Sequence, residues 1–354
     1  MRFIHTGDVH LGISPDRNMP WGKDREKEIW DTFKRLIEVC RAKRPDMLFI
    51  AGDLFNRQPK LRELKEVNYL FESIIPTRVI IIAGNHDPIN KGSHYADYEW
   101  AGNVYFLSSS EMQGYSFDDI GVDVYGFSYH DKMIKENKYD NFKPRNKEHI
   151  NILLAHGGDE NHIPMNINLM LLNGFEYIAA GHIHVPYLHK NAGFAYCGSL
   201  EPTDKNDKGV RGYIEGEITK EERMISLVPF AYRYYLDLEV LISSNMSKLE
   251  VMDIIKGKIA ESGENNIYHI TIKGFRDPDV EFDKTEISLL GNVSSIVDET
   301  EPDYDFESLY ENNKDNMVGL YIEKFKDRTS LSSVEKNALY YGTKALLDAS
   351  GSQQ

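Results

Sequence analysis

Ile80-Ile81-Ile82-Ala83-Gly84-Asn85-His86-Asp87 is an apolar run that breaks at once into a polar tetrad. A β-branched run bounded by glycine is a strand signal, and strands apolar on both faces belong to the buried interior of parallel sheets. The tetrad therefore falls at a strand's carboxyl end. In open α/β sheets that edge is where loops converge on one crevice and ligands bind. Asn85, His86 and Asp87 are thereby placed for chemistry.

Four further segments repeat the pattern of an apolar strand followed by small, acidic and imidazole residues. They are Phe3-Ile4-His5-Thr6-Gly7-Asp8-Val9-His10, Met47-Leu48-Phe49-Ile50-Ala51-Gly52-Asp53, Ile152-Leu153-Leu154-Ala155-His156-Gly157-Gly158 and Tyr177-Ile178-Ala179-Ala180-Gly181-His182-Ile183-His184. One such pattern carries little. Five of them, delivering Asp8, His10, Asp53, Asn85, His86, His156, His182 and His184 to strand ends, describe one site gathered from distant parts of the chain.

With 354 residues, 41% of them hydrophobic, the chain can bury a full core in a large domain with at least one smaller one beside it. The formal net charge of −15 argues against a broad basic surface, while leaving a local cationic site possible. The two cysteines, Cys40 and Cys197, exclude a disulfide framework and a Cys-rich zinc module. No apolar stretch approaches the roughly 20 residues of a membrane span, and the start of the chain shows no signal-peptide pattern. The expectation is a soluble cytoplasmic protein that takes no membrane partner.

Outward from the central strand, apolar residues Ile29, Trp30, Phe33, Leu36, Ile37 and Cys40 recur at helical spacing, which predicts a helix over 24–44 ended by Pro45. A second helix is expected over about 60–74. Two strand-helix-strand units in succession imply a mainly parallel sheet with right-handed crossovers. Residues 95–147 are less regular, with strands expected near 104–107 and 122–127. From Pro186 short strands follow at 187–189, 194–197, 212–218 and 224–228, a meander expected to close the sheet layer. A second unit begins at Tyr232-Arg233-Tyr234-Tyr235, with strands at 235–241, 266–273 and 293–297 and a helix opened by the capping box Ser247-x-x-Glu250. The acidic run Glu299 to Asp305 reads as a linker. Helical patterns over 306–326 and 332–349 end the chain, the latter opened by Ser332-x-x-Glu335.

Two carboxylates, a carboxamide and several imidazoles, with no thiolate, make a mixed oxygen and nitrogen ligand set. Such a set suits Mn²⁺, Fe²⁺ or Zn²⁺ and disfavours a structural zinc site or an all-oxygen calcium cage. The ligands outnumber what one ion takes from a protein, so two ions are expected, with Asp53 as their bridge. His182 and His184, two apart just past a strand end, can turn to opposite sides and serve one ion each. Two divalent ions less two carboxylates and a hydroxide leave a site of about +1, attractive to a phosphodiester. His86, flanked by Asn85 and Asp87, is expected to have its far nitrogen fixed by the Asp87 carboxylate, ready to protonate a leaving oxygen.

The series Asp8-x-His10, Gly52-Asp53, Gly84-Asn85-His86-Asp87, His156-Gly157 and Gly181-His182-x-His184 resembles the calcineurin-like metallophosphoesterase superfamily in full and in order. Within it, Ile4 to Gly12, Gly52-Asp53-Leu54-Phe55 and Cys197-Gly198-Ser199-Leu200-Glu201 are similar to the SbcD/Mre branch of DNA repair nucleases, bacterial YhaO-type exonucleases included. The resemblance implies a four-layer α/β/β/α sandwich over residues 1–230, a small α+β capping domain over 231–300, and a linker with C-terminal helices over 301–354. It implies Asp8, His10, Asp53 and His184 on a first ion, Asp53, Asn85, His156 and His182 on a second, and His86 as the catalytic, non-ligand histidine. Mn²⁺ is the ion it implies. Its implied function is Mn-dependent exonuclease or endonuclease action in DNA double-strand-break repair. Its implied partners are DNA, a second copy of the chain in a homodimer, and an SbcC-like coiled-coil SMC/ABC-type ATPase docking on 306–349. One departure is Asn56, followed by Arg57, where some members carry a histidine three residues after the bridging aspartate.

Simpler readings stand beside these. Asp8 and His10 alone suit a strand-end cap, Asn85-His86-Asp87 a turn, and His156 a satisfied core histidine. His182 and His184 after a buried strand are costly without partners. The remaining histidines, His5, His94, His130, His149, His162, His189 and His269, are expected to be structural or at the surface, with His94 and His130 on loops within reach of substrate. Lys60, Arg62, Lys65, Arg17, Arg25 and Arg57 are candidates for a DNA backbone, or a solvated face. The competing functions are a small-molecule phosphodiesterase or phosphatase on the same site and a non-catalytic adaptor on the same fold.

Overall fold

The computed structural model describes residues 1–326 and 330–351. The chain divides into two compact units, Met1–Tyr235 and Leu236–Gln354.

The first unit opens with β1 (Arg2–Thr6), α1 (Gly22–Lys43), β2 (Met47–Ala51), α2 (Leu61–Glu72), β3 (Arg78–Ile82) and β4 (Val104–Phe106). It continues through β5 (Gln113–Phe117), β6 (Val122–Gly126), β7 (Ile150–His156), α3 (Ile167–Leu171), β8 (Tyr177–Gly181), β9 (Tyr187–His189) and β10 (Phe194–Tyr196), and ends with β11 (Gly212–Ile218) and β12 (Arg223–Pro229). Among the described residues these strands make two six-stranded sheets, ordered β12-β11-β1-β2-β3-β4 and β5-β6-β7-β8-β10-β9. The β1 to β4 run and the β6, β7, β8, β10 run are parallel, as right-handed strand-helix-strand crossovers require.

Side chains alternate along each strand and sort into layers. Phe3, Phe49, Ile80 and Ile82 from the first sheet meet Val124, Ile152, Leu154 and Ala179 from the second in one dry interior between the sheets. Their neighbours Ile4, Leu48, Ile50 and Ile81 face Phe33, Leu36 and Leu64 of the first two helices. On the far side of the second sheet, Leu153, Ala155, Ile178 and Ala180 pack with Met170 and Phe175. Helix, sheet, sheet and helix are thus stacked in four layers. Each fully buried aliphatic or aromatic side chain contributes roughly 1.5–3 kcal/mol, so the two parallel cores hold the strand ends rigidly in place.

The meander from Pro186 does not close a single sheet. Its first two strands add to the second sheet beside β8, and its last two extend the first sheet as an antiparallel hairpin along the open edge of β1. Strand β5 lies outside the expected set because Gln-Gly-Tyr-Ser-Phe carries no apolar alternation. It is an edge strand, exposed along most of its length and paired only to β6.

The second unit contains β13 (Tyr235–Ile242), α4 (Lys248–Ser262), β14 (Ile267–Arg276), α5 (Lys284–Ser288) and β15 (Val293–Pro302), then α6 (Phe306–Asn312), α7 (Met317–Lys326) and α8 (Ser333–Gly351). The capping box opens α4 as expected, Ser247 and Glu250 satisfying each other's backbone N–H groups. The acidic stretch read as a linker is in part strand: Glu299 to Pro302 pair in parallel with Lys273 to Arg276. An edge position lets its acids point to solvent, with Glu299 3.9 Å from Lys273. The pattern over 306–326 is two helices, parted at Asn313, whose backbone N–H bonds the Tyr310 carbonyl. No helix among the described residues is long and apolar enough to cross a membrane.

Candidate metal centre

The carboxyl edges of β1, β2, β3, β7 and β8 meet at one place, and the backbone is bent there to expose side chains. Among the described residues seven non-glycines have φ between +46° and +90°, and four of them are Asp8, His10, Asp53 and His182. Such conformations cost of order 1–3 kcal/mol each, and strain collected on one cluster of polar residues marks a functional site. Backbone bonds from Asp8 N–H to Gly52 O (3.1 Å) and from His10 N–H to Asp53 O (3.0 Å) lock the first two loops together. Glycine is required where loops touch: a Cβ on Gly52 would stand 2.3 Å from His156 Nδ1, and one on Gly84 2.2 Å from Asp53 Oδ1.

The side chains form two adjoining sets with Asp53 between them. On one side His10 Nε2 and His184 Nε2 lie 3.1 Å apart, and Asp8, His10 and His184 bring donor atoms within 4.8 Å of one another. On the other, Asn85 Oδ1 is 2.9 Å from His156 Nε2 and 3.1 Å from His182 Nδ1. Asp53 Oδ2 lies 3.9 Å from His10 Nε2 and 3.5 Å from His156 Nε2, while its Oδ1 accepts the His86 N–H at 2.8 Å.

The far nitrogens decide what these atoms offer. His156 Nδ1 donates to the Ala51 carbonyl at 2.8 Å, so its Nε2 turns a lone pair toward the Asn85 and Asp53 oxygens. His184 Nδ1 faces the Asp207 carboxylate at 3.1 Å, so its Nε2 presents a lone pair to His10. His182 Nε2 meets Asp159 Oδ2 at 2.7 Å, which leaves Nδ1 as an acceptor facing Asn85. Acceptors turned toward acceptors at hydrogen-bond distance repel unless a cation lies among them. The donor set, neutral imidazole with carboxylate and carboxamide and no thiolate, fits divalent ions of the Mn²⁺, Fe²⁺ and Zn²⁺ kind.

The electrostatics state the same demand. Burial, with the Asp53 charge adding to it, pushes the Asp8 carboxyl up to about 6, although His156 and His184 oppose it. Burial would raise Asp53 as well, yet His156 and His10 hold it well below the usual carboxylate range. Burial would lower His156, but Asp53 and Asp8 carry it up to about 9. Without metal, a proton on His156 supplies the positive charge this anionic pocket requires. Burial lowers His10 to about 3 and His182 to about 4, keeping both rings neutral as ligands must be.

A family model described as Calcineurin-like phosphoesterase matches residues 1–186, a span that carries all five strand ends and both histidines of the last motif. The chain belongs to this family. Among its curated relatives, the DNA double-strand break repair protein Mre11 of Methanocaldococcus jannaschii is 32% identical over 58% of this chain and 58% of the relative. The uncharacterized metallophosphoesterase YhaO of Bacillus subtilis is 27% identical over 62% of this chain and 58% of its own length. The SbcD subunit of the nuclease SbcCD from Staphylococcus epidermidis is 24% identical, aligned over 99% of this chain and 100% of the relative. The chain thus spans a little over half the length of the first two relatives and the whole of the third.

In this calcineurin-like phosphoesterase the expected residues Asp8, His10, Asp53, Asn85, His156, His182 and His184 all converge, and His182 and His184 do turn to opposite sides. His86 is exposed, its ring edge-on to His10 with centroids 4.7 Å apart. Asp87 is placed otherwise than expected. Its carboxylate is fully buried and accepts the Phe55 N–H at 3.0 Å and the Gly84 N–H at 2.8 Å, so it braces the loop from beneath and is not the partner of the His86 ring. Burial and the nearby Asp53 push it up to about 7.

Three participants escaped sequence reasoning. Asp159 and Asp207 back His182 and His184, and His162, expected to be incidental, donates Nδ1–H to Asp159 at 2.9 Å. Asp159 comes directly after the His156-Gly157-Gly158 motif but was not read with it, while His162 and Asp207 follow no strand motif, and proximity gives all three their role. The basic candidates also sort themselves out. Arg25 is fully buried against Glu28 and Glu201, and so unable to touch DNA, while Arg57 forms a two-pronged pair with Glu63. His130 commits its Nε2 to the Ser108 carbonyl at 2.9 Å.

Proposed function

We propose that this phosphoesterase is a Mn²⁺-dependent DNA nuclease of double-strand-break repair, hydrolysing phosphodiesters as an exonuclease, an endonuclease or both. The observation that carries the reading is the convergence of seven oxygen and nitrogen side chains, with the Asn85 oxygen set against acceptor nitrogens of His156 and His182, beside one exposed imidazole. In the reading, Asp8, His10, Asp53 and His184 hold one ion, and Asp53, Asn85, His156 and His182 the other. Two such ions, when bound, supply an acidified water and positive charge for the phosphate oxygens.

The chain's own residues do the rest. Asp53, shared by both sets, keeps them in register. His86, free to face a substrate, protonates or stabilises the leaving oxygen. Asp87 anchors the Gly84 N–H, and so fixes where Asn85 and His86 emerge. One relative named for DNA double-strand break repair and another, matching end to end, named as a nuclease subunit together support DNA as the substrate.

The proposed division of labour is catalysis on 1–230, a cap on 231–300 and docking on 301–354. Exposed Met317, Leu320, Val334 and Tyr341 on the last two helices support a docking surface, and one relative is itself named as part of a larger nuclease. The partner of this reading is a coiled-coil SMC/ABC-type ATPase, the assembly a homodimer and the compartment the cytoplasm.

The test compares labelled linear double-stranded DNA with a small aryl phosphodiester in Mn²⁺, using the native chain and His86→Ala. Shortened DNA, abolished by the substitution and by chelator, supports the reading. Cleavage of the small ester alone overturns the DNA assignment and leaves a small-substrate phosphodiesterase.

A further inference from the structure

The seven converging donors include no residue from the loop between β7 and α3, yet that loop places a carboxylate directly on one of them. Asp159 Oδ2 lies 2.7 Å from His182 Nε2, on the ring edge opposite the Nδ1 that faces Asn85. The carboxylate is itself held from several sides. Its Oδ1 accepts the backbone N–H groups of Asn161 (2.8 Å) and His162 (3.0 Å), and His162 Nδ1 reaches both oxygens at 2.9 Å. The His162 ring lies against His182 with centroids 4.6 Å apart. A carboxylate fixed by three donors is a rigid acceptor, and a rigid acceptor selects the tautomer of the imidazole that faces it.

We infer that Asp159, oriented by its own turn and by His162, is a positioning residue that holds His182 with its proton on Nε2 and its Nδ1 lone pair turned toward Asn85 and His156. The inference rests on the proposed metal reading for its consequence, because a free Nδ1 lone pair is what a second ion would use. Its geometric half stands without any ion. The alternative role for the same cluster, a separate cation held by Asp159, His162 and His182, requires His182 Nε2 to lose its proton, so the two are mutually exclusive.

Asp159→Asn separates positioning from simple folding. Oδ1 of the new carboxamide is fixed as the oxygen by the N–H groups of Asn161 and His162, so the amide nitrogen must take the place of Oδ2 and face His182 Nε2. That nitrogen donates, and His182 must then accept on Nε2 and carry its proton on Nδ1, the tautomer that blocks the ion. Asp159 is 44% exposed at its side chain and its turn is preserved, so the substitution leaves the fold intact.

Nitrogen-15 NMR of the metal-free protein is expected to show His182 protonated at Nε2 in the native chain and at Nδ1 in D159N. Mn²⁺ titration followed by EPR is expected to show two ions in the native chain, one of them bound about 10- to 100-fold more weakly in D159N and the other unchanged. An unaltered His182 tautomer, equal weakening of both ions, or three ions in the native chain overturns the inference. A native chain that binds no Mn²⁺ overturns the metal reading instead, and the tautomer measurement still decides the position of Asp159.

Discussion

Asn85 and His156 are 71 residues apart in sequence and meet from two different sheets, with the Asn85 carboxamide oxygen 2.9 Å from His156 Nε2. Neither atom brings a proton to the contact while Ala51 O holds the His156 proton on Nδ1. The pair is therefore stable only with a second proton on His156 or a cation between the two side chains. Competition between those two occupants makes the centre pH-dependent.

The sign of that dependence follows from His156, raised to about 9 from an ordinary 6.5. A base raised in the folded state gives stability that is complete below its unfolded value and lost as pH rises toward the folded one. Metal-free protein should therefore lose stability between about pH 6.5 and 9, His156 contributing at most about 1.4 kcal/mol for each step of one in pH. Asp87, raised to about 7, adds to the fall at the lower end of the window. Mn²⁺ replaces the proton, so the rise in melting temperature on adding Mn²⁺ should grow over the same range. Thermal unfolding at about pH 6.5, 7.5 and 8.5 with and without Mn²⁺ measures it, and a metal shift that shrinks with pH contradicts the arrangement.

His86 carries no comparable structural duty. Its side chain is exposed, and the bond it gives to Asp53 comes from its backbone, which any residue retains. His86→Ala is expected to lower kcat for phosphodiester cleavage by about 10²-fold or more while changing stability by no more than about 0.5 kcal/mol. Calorimetric Mn²⁺ binding should stay at the native stoichiometry. Loss of an ion in this variant would make His86 a ligand instead.

The fold and the converging side chains were legible for one reason: each lies at or just past the end of a strand apolar on both faces, so strand ends and converging residues announce each other. Where that coupling is missing, sequence reading failed. Strand β5 and the acidic half of β15 lie at sheet edges, where one side is solvent and composition is unconstrained. Asp159 and Asp207 sit in loops, and their meaning exists only in the imidazoles they back. Asp87 was misjudged because adjacency in a strained turn does not reveal direction: one residue points to solvent and the next into the core.

That last distinction is testable. The Asp87 carboxylate accepts two backbone N–H groups in a fully buried position, and an asparagine supplies one oxygen for the two. Asp87→Asn should cost about 1–3 kcal/mol in urea unfolding, the penalty for stranding one buried donor. Catalysis should fall with it, since Gly84 then no longer fixes the emergence of Asn85 and His86. A variant with native stability and a shifted pH–rate profile would instead restore Asp87 as the partner of the His86 ring.

Gly52 and Gly84 offer a contrast that isolates steric demand from backbone strain. Gly52 has φ +83°, so Gly52→Ala suffers twice: a left-handed conformation costing about 1–2 kcal/mol, and a Cβ 2.3 Å from the His156 nitrogen that bonds Ala51. Gly84 lies outside the left-handed region, but its substitution drives a Cβ to 2.2 Å from Asp53 Oδ1 and to 2.6 Å from the Asp53 backbone nitrogen. Overpacking of that kind typically costs about 1–3 kcal/mol. Both should bind Mn²⁺ poorly, Gly52→Ala by displacing His156 and Gly84→Ala by displacing the shared Asp53. Because Asp53 touches both donor sets while His156 touches one, Gly84→Ala should weaken both ions and Gly52→Ala chiefly one. Mn²⁺ titrations that reverse that order would show that Asp53 is not the bridge between them.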